Sequence, residues 1–253
     1  MTTDFDAFAR FYDEDVQAEE DIPLYLNFAH RTGDPILEVG CGTGRVLLPL
    51  AQAGYRVTGI DISGAMLARA RAKARRAGLL SRIRLIQTDA RHLALNQSFA
   101  LIIYAANSFM HHDTPEEQEL VLRRLGEHLR PGGLLILDLF NPDLHLITQA
   151  NGELTLIKTW YDAERQARVA KFQSVVASPT AQVLDITYIY DTVYPDGRVE
   201  RTLVPFRMRY LWPHEAQLLV RQADLEVEAL YGSYELDPVG DAFPRLIVVA
   251  RKG

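Results

Sequence analysis

Glycines 40, 42 and 44 form a G-x-G-x-G run inside Glu38-Val39-Gly40-Cys41-Gly42-Thr43-Gly44-Arg45. Such a run lets the backbone turn sharply and approach a ligand with no side chain in between. A dinucleotide-binding turn has the spacing G-x-G-x-x-G, and here Arg45 stands where its last glycine belongs. The spacing therefore favours a ligand without a pyrophosphate. Asp61 follows the apolar stretch from Val57. A carboxylate at that point can accept hydrogen bonds from both ribose hydroxyls of a nucleoside, and ionised acceptors make the stronger bonds. Asp61 and Ser63 also precede a helix, so helix capping is the competing role. Asp89 can accept from an adenine amino group, and the Ala90 amide can meet a ring nitrogen. His111 and His112 close the segment Tyr104-Ala105-Ala106-Asn107-Ser108-Phe109-Met110-His111-His112. Histidine titrates near neutral pH, so either could take a proton from a reacting group.

These residues become a site only if successive elements bring them to one edge. Ile36–Val39 is a short apolar run ending in glycines, the pattern of a buried parallel strand. A helix is expected over Arg45–Ala53, a second strand over Tyr55–Ile60 and a helix from about Ala65 to Arg76. Third and fourth strands are expected at Arg84–Gln87 and Leu101–Ala105. Thr114, Pro115 and Glu117 supply a cap, a first-turn proline and a capping-box glutamate. That helix is expected to run to about Leu129 and to be ended by Pro131-Gly132-Gly133, with a fifth strand over Leu134–Phe140. Repeated strand–helix–strand units imply a parallel sheet with helices on both faces. Ligands then bind at the carboxyl ends of the strands, which is where the glycines, Asp61, Asp89 and the histidines fall.

The pattern changes after about residue 150. Leu184, Ile186, Tyr188 and Tyr190 alternate with Asp185, Thr187, Ile189 and Asp191, and Tyr194-Pro195-Asp196-Gly197 marks a turn. Residues 150–212 read as an inserted antiparallel β segment. The core then comprises 1–149 and 213–253, with 1–30 as an N-terminal cap. Within the insertion, Phe206, Met208 and Tyr210 share one face and Arg207 and Arg209 the other. The apolar set is expected in a core or a homodimer surface rather than a substrate wall, and the arginines on a solvated face. Arg69, Arg71, Lys73, Arg75 and Arg76 likewise read as a solvated helix face.

The 253 residues carry a formal charge of −6, which gives no general affinity for nucleic acid. Cys41 is the one cysteine, so the chain alone can build neither a disulfide framework nor a cysteine zinc site. No metal site is expected. Met1–Asp21 lacks the basic start and apolar run of a signal peptide, and no stretch reaches the ~20 apolar residues of a membrane span. A cytoplasmic protein that binds neither membrane nor nucleic acid is the expectation.

Glu38–Arg45, Asp61, Asp89 and Leu129-Arg130-Pro131-Gly132-Gly133, in that order, resemble the motifs of the class I S-adenosylmethionine-dependent methyltransferases. The resemblance is close over about Phe5 to Phe140. It implies a Rossmann-like seven-stranded sheet with its last strand antiparallel, S-adenosyl-L-methionine as cofactor and S-adenosyl-L-homocysteine as product. By the same resemblance the glycine turn meets the methionine part, Asp61 the ribose and Asp89 the adenine. The implied cofactor contacts are Tyr12, Glu38, Gly40, Cys41, Gly42, Gly44, Asp61, Ile62, Met66, Asp89, Ala90 and Ala105. The insertion and Phe11-Tyr12-Asp13 are similar to small-molecule N-methyltransferases, including those that dimethylate amino sugars. In such enzymes an N-terminal tyrosine often folds over cofactor or substrate, which makes Tyr12 a catalytic candidate beside His111 and His112. Base-amino methyltransferases carry Asn/Asp-Pro-Pro-aromatic after the fourth strand. Asn107-Ser108-Phe109-Met110 lacks those prolines, which weighs against DNA or RNA as acceptor. The function implied is methyl transfer to an amine or hydroxyl of a small molecule. The alternatives are a nicotinamide-dependent oxidoreductase and a non-enzymatic S-adenosylmethionine-binding module.

Overall fold

A computed structural model describes residues 4–253, so the first three residues of the expected cap lie outside the described residues. The elements in chain order are α1 (Asp4–Asp15), α2 (Ile22–Thr32), β1 (Ile36–Val39), α3 (Leu47–Gln52), β2 (Val57–Asp61), α4 (Gly64–Arg76), β3 (Ile83–Gln87), β4 (Phe99–Tyr104), α5 (Pro115–His128), β5 (Leu129–Phe140), α6 (Leu144–Gln149), β6 (Thr155–Asp162), β7 (Ala167–Ser178), β8 (Val183–Val193), β9 (Val199–Arg209), α7 (Pro213–Gln222), β10 (Glu226–Tyr231) and β11 (Arg245–Arg251).

Seven strands form one sheet in the order β10-β11-β5-β4-β1-β2-β3. β1 runs parallel to both β2 and β4, while β11 is antiparallel to β5 and β10. This is the seven-stranded arrangement that the motifs imply. The strand register explains its apolar faces. Leu37, Ile102 and Leu135 lie level across β1, β4 and β5, and their neighbours Ile36, Leu101 and Leu134 lie level on the other face. Successive strand residues point to opposite sides, so one such row enters each of two hydrophobic clusters. Burial on both faces is what β1 and β4 show along their whole length. The chain moves outward from β1 to β3 and then returns to β4 on the other side of β1. That reversal opens a crevice at the strand tips.

The helix boundaries differ from expectation where side chains find other partners. α3 begins at Leu47, because the glycine turn continues to Val46. α5 ends at His128, within one residue of the expected Leu129, but β5 begins at Leu129 rather than at Leu134, and Pro131-Gly132-Gly133 form no separate stop. Those residues already belong to β5, where Gly132 N donates to Lys252 O at 2.9 Å. Thr114 Oγ accepts from Glu117 N as a cap should, at 3.2 Å, but the Glu117 carboxylate pairs with Arg91, so the capping box is only half formed.

β6-β7-β8-β9 form a separate antiparallel sheet. α1 is clamped against it. Phe11 stacks on Tyr190 with ring centroids 4.1 Å apart, and Phe8, Val169 and Val204 complete a third apolar cluster. The basic α4 face is not wholly solvated: Lys73 Nζ donates to Asp13 of α1 at 2.6 Å and Arg69 lies 3.9 Å from the same carboxylate. Arg209 also departs from the solvated face expected for it. It is buried, donating to Gln118 Oε1 at 2.7 Å and pairing with Glu215, whereas Arg207 stays exposed and pairs with Asp185.

Candidate active site

The tips of β1–β4 open into a cavity of about 460 Å³, within the ~300–1,000 Å³ typical of small-ligand sites. The glycine turn supplies Gly40 and Gly42, and the β2 end supplies Asp61 and Ile62. Met66 reaches in from α4, Asp89 and Ala90 from the β3 end. Tyr104, Ala106, Asn107, Ser108, His111 and His112 come from β4 and its following loop. Tyr12 covers the turn from α1. Glu38, Cys41, Gly44 and Ala105 stand outside the cavity lining. Glu38 and Cys41 are buried, and Gly44 packs on Leu48 and Ala70.

The turn is shaped by local chemistry. Gly40 has φ +66° and Gly42 φ +52°, the left-handed region that glycine enters at no steric cost. A β-carbon at Gly40 would sit 3.1 Å from Ser108 Cβ, and one at Gly42 would sit 3.7 Å from Tyr12 Cζ. Arg45 is not a ligand group. It grips Asp21 with two hydrogen bonds at 2.5 and 2.6 Å and Ala18 O at 2.7 Å, tying the glycine turn to the start of α2. Asp61 accepts from Gly42 N through Oδ2 and from Ser63 N through Oδ1, both at 2.8 Å. So it fixes the turn and begins α4 at once, while Ser63 Oγ makes the cap on Met66 N at 3.1 Å. A carboxylate has about four acceptor positions, which leaves Asp61 capacity for two further donors. Burial raises its pKa, opposed by those N–H groups.

Asp89 accepts from Arg91 N at 2.9 Å and forms a bidentate pair with the Arg91 guanidinium. Burial pushes its pKa up, the Arg91 hydrogen bonds pull it down, and the net shift is downward. Arg91 is thus an unforeseen member of the site. It keeps Asp89 ionised, and the sequence offered no signal beyond its position two residues on.

The two histidines separate clearly. His112 is buried, its Nε2 lies 2.8 Å from Tyr104 Oη, and burial pushes its pKa down to about 4. His111 is half-buried, with Nδ1 3.2 Å from the carbonyl oxygen of Arg207 in β9. Burial lowers its pKa as well. Its ring sits edge-on to Phe5 and to Phe206, with centroids 5.0 and 5.4 Å apart. Tyr12 is half-buried, and its desolvation pushes the phenol up to about 12 against the pull of Arg45.

The opposite wall was not foreseen. Phe206 and Met208, expected in a core or dimer surface, line the cavity instead, together with Tyr188, Phe5 and Phe8. Tyr210 alone of that trio is plain core. Lys171 also lines the wall, pairing with Asp15 at 2.6 Å over the ring of Tyr188. Its signal lay in the alternation of β7, where Ala167, Val169 and Lys171 share the inward face.

A family model described as a methyltransferase domain matches residues 36–133. The chain is 26% identical over 230 residues to the cypemycin N-terminal methyltransferase of Streptomyces sp, covering 87% of this chain and 84% of that one. The solved CcbJ methyltransferase from Streptomyces caelestis matches with a TM-score of 0.85 at 26% identity, covering 100% of this chain and 98% of its own. This chain is a class I S-adenosylmethionine-dependent methyltransferase. The methyltransferase shares its fold with the sugar N-methyltransferase KedS8 from Streptoalloteichus sp, at a TM-score of 0.74 and 19% identity over 98% of this chain and 93% of that one. Nothing in these likenesses favours the nicotinamide-dependent alternative. The site of the methyltransferase also fits its cofactor on its own geometry. A β-carbon would fill the cradle at Gly42, and Asp61 offers spare carboxylate acceptors at the β2 tip. Among the described residues, no helix of the methyltransferase is long and apolar enough to cross a membrane.

Proposed function

We propose that the methyltransferase acts on an amine of a small molecule, with a hydroxyl as the second choice, and that His111 is the base that takes the acceptor's proton. The observation that carries this reading is the convergence of Gly42, Asp61, Asp89 and His111 on one cavity. When bound, S-adenosylmethionine supplies an electrophilic sulfonium methyl group.

Gly40 and Gly42 give the methionine part access to the backbone, Asp61 receives the ribose hydroxyls, and Asp89 with Ala90 receives the adenine. Ile62 and Met66 pack against the nucleoside. Tyr12 closes the turn from above and excludes water. Cys41, Glu38, Gly44 and Ala105 support the turn from behind. A backbone carbonyl can only accept, so the bond to Arg207 O places the His111 proton on Nδ1 and leaves Nε2 with a lone pair. An ammonium acceptor has to lose its proton before it can act as a nucleophile. A bare imidazole nitrogen beside it performs that step, typically worth ~10²–10⁴ in rate. His112, committed to Tyr104 and shifted to about 4, holds the loop and moves no proton at neutral pH. Alignment of the nitrogen falls to the aromatic wall of Phe5, Phe8, Tyr188 and Phe206. The core comprises 1–149 and 213–253 with 1–30 as cap, and the 150–212 insertion walls the acceptor end. The formal charge of −6 accords with a small acceptor rather than nucleic acid.

Calorimetric titration with S-adenosylhomocysteine comes first, followed by a screen of small amines, hydroxylated metabolites and sugars for S-adenosylhomocysteine release. Asp61→Ala should abolish binding. Unchanged affinity in that variant would overturn the ribose assignment, and turnover of hydroxyl acceptors alone would overturn the amine assignment.

A further inference from the structure

Two adjacent residues with side chains, Ala106 and Asn107, both adopt left-handed backbone conformations, φ +52° and +63°, in the turn that joins β4 to the 3-10 turn Ser108–His111. Asparagine tolerates this region, but alanine does not favour it. Strain of this kind persists only where surrounding structure over-determines it, and it clusters at functional sites. Here the surrounding structure is one buried carboxylate. Asp138, fully buried near the end of β5, accepts from Ala106 N through Oδ2 at 3.1 Å, and its own carbonyl accepts from Asn107 N at 2.9 Å. The same Oδ2 accepts from Tyr25 Oη at 2.8 Å. Oδ1 is held by Arg245 of β11, whose Nε donates at 3.0 Å, and Arg245 Nη2 also donates to Asn107 Oδ1 at 3.3 Å.

We infer that Asp138 and Arg245 are positioning residues for methyl transfer: they hold the Ala106–Asn107 turn in its left-handed form and so place His111 beside the acceptor. Neither residue lines the cavity, yet every residue they grip in this turn does. The chain leaves the turn directly into the 3-10 turn that ends in His111. Ser108, at its start, is the neighbour against which Gly40 packs. A relaxed turn therefore shifts His111 away from the Arg207 carbonyl. The catalytic part of this inference rests on His111 being the base.

The test uses the full chain bound to S-adenosylhomocysteine. Nitrogen-15 NMR of the His111 ring reports its tautomer, and hydrogen exchange reports the Ala106 and Asn107 amides. Asp138→Asn should keep S-adenosylhomocysteine binding, accelerate exchange at both amides and replace the single Nδ1–H tautomer by a mixture. Adding Ala106→Gly and Asn107→Gly to that variant should restore the single tautomer, because glycine adopts the turn without Asp138. A merely structural role for Asp138 would not be rescued this way. Should Asp138→Asn fail to fold, Asn107→Val strains the same turn without touching the buried charge. It should give the same tautomer mixture, absent in Asn107→Gly. A wild-type ring signature in either strained variant, or no rescue by glycine, overturns the inference. Failure of the base assignment registers separately, as full turnover in His111→Gln while the turn results stand.

Discussion

His111 donates from Nδ1 to the carbonyl oxygen of Arg207 across 3.2 Å, from the loop after β4 to a strand of the inserted sheet. The bond joins the two sheets at the cavity, and it selects which ring nitrogen is bare. His112, one residue later, meets Tyr104 instead and turns into the core. Two neighbouring histidines of one loop thus receive different chemistry from what their rings touch.

Replacing His111 by Gln should lower kcat by ~10²–10⁴-fold, the usual worth of a positioned base, and leave S-adenosylhomocysteine affinity unchanged. The pH profile carries a sign. The base works neutral, and burial lowers its pKa from 6.5, so kcat/KM should rise with pH along an acid limb lying below 6.5. A limb at or above the free-histidine value, or one that survives His111→Gln, counts against the assignment.

Tyr12 packs its ring over Gly42, and burial dominates its environment. Tyr12→Phe keeps the ring and should bind S-adenosylhomocysteine nearly as the parent does. Tyr12→Ala opens the turn to water and should weaken binding about tenfold or more, a loss of ~1.4 kcal/mol or above. Calorimetry on the pair separates packing from the hydroxyl. Equal losses in both variants would show that the hydroxyl, not the ring, matters.

Glu38 is fully enclosed beneath the turn, and its Oε2 has no hydrogen-bond partner among the described residues. Burial pushes its pKa from 4.5 up to about 8, with Arg45 pulling the other way. The folded state therefore holds this proton more tightly than the unfolded chain does. Its contribution to stability is full below about pH 4.5 and drains away as the pH rises to about 8. Glu38→Gln removes that slope. Thermal unfolding of both proteins at acidic and alkaline pH should show the variant gaining on the parent as pH rises. Parallel profiles would contradict the shift.

Gly59, in the middle of β2, leaves no room for a side chain. A β-carbon there would lie 2.8 Å from Cys41 Sγ and closer still to Leu47 Cδ1. Gly59→Ala should cost ~1–3 kcal/mol through overpacking and lower Tm by several degrees in a thermal melt. A melt equal to the parent's would mean that Cys41 and Leu47 move aside freely.

Much of this was written in local sequence. Strand burial on two faces, the glycine turn, Asp61 at a strand end and the Ser63 cap all follow from neighbours in the chain, because backbone sterics and side-chain period act over a few residues. The seven-stranded order was legible only through the ordered motifs that resemble the family. Three-dimensional packing decided the rest. The pairing of Glu117 with Arg91 undid an expected capping box, and α1 drew Lys73 from a face expected to be solvated. Phe206 and Met208 became cavity wall because β9 lies over the strand tips, a placement that alternation alone leaves open: period two says which residues share a face, not what that face meets. The same holds for the histidines. Their identity made both candidates for proton transfer, but only a carbonyl 96 positions along the chain, at Arg207, distinguishes one from the other.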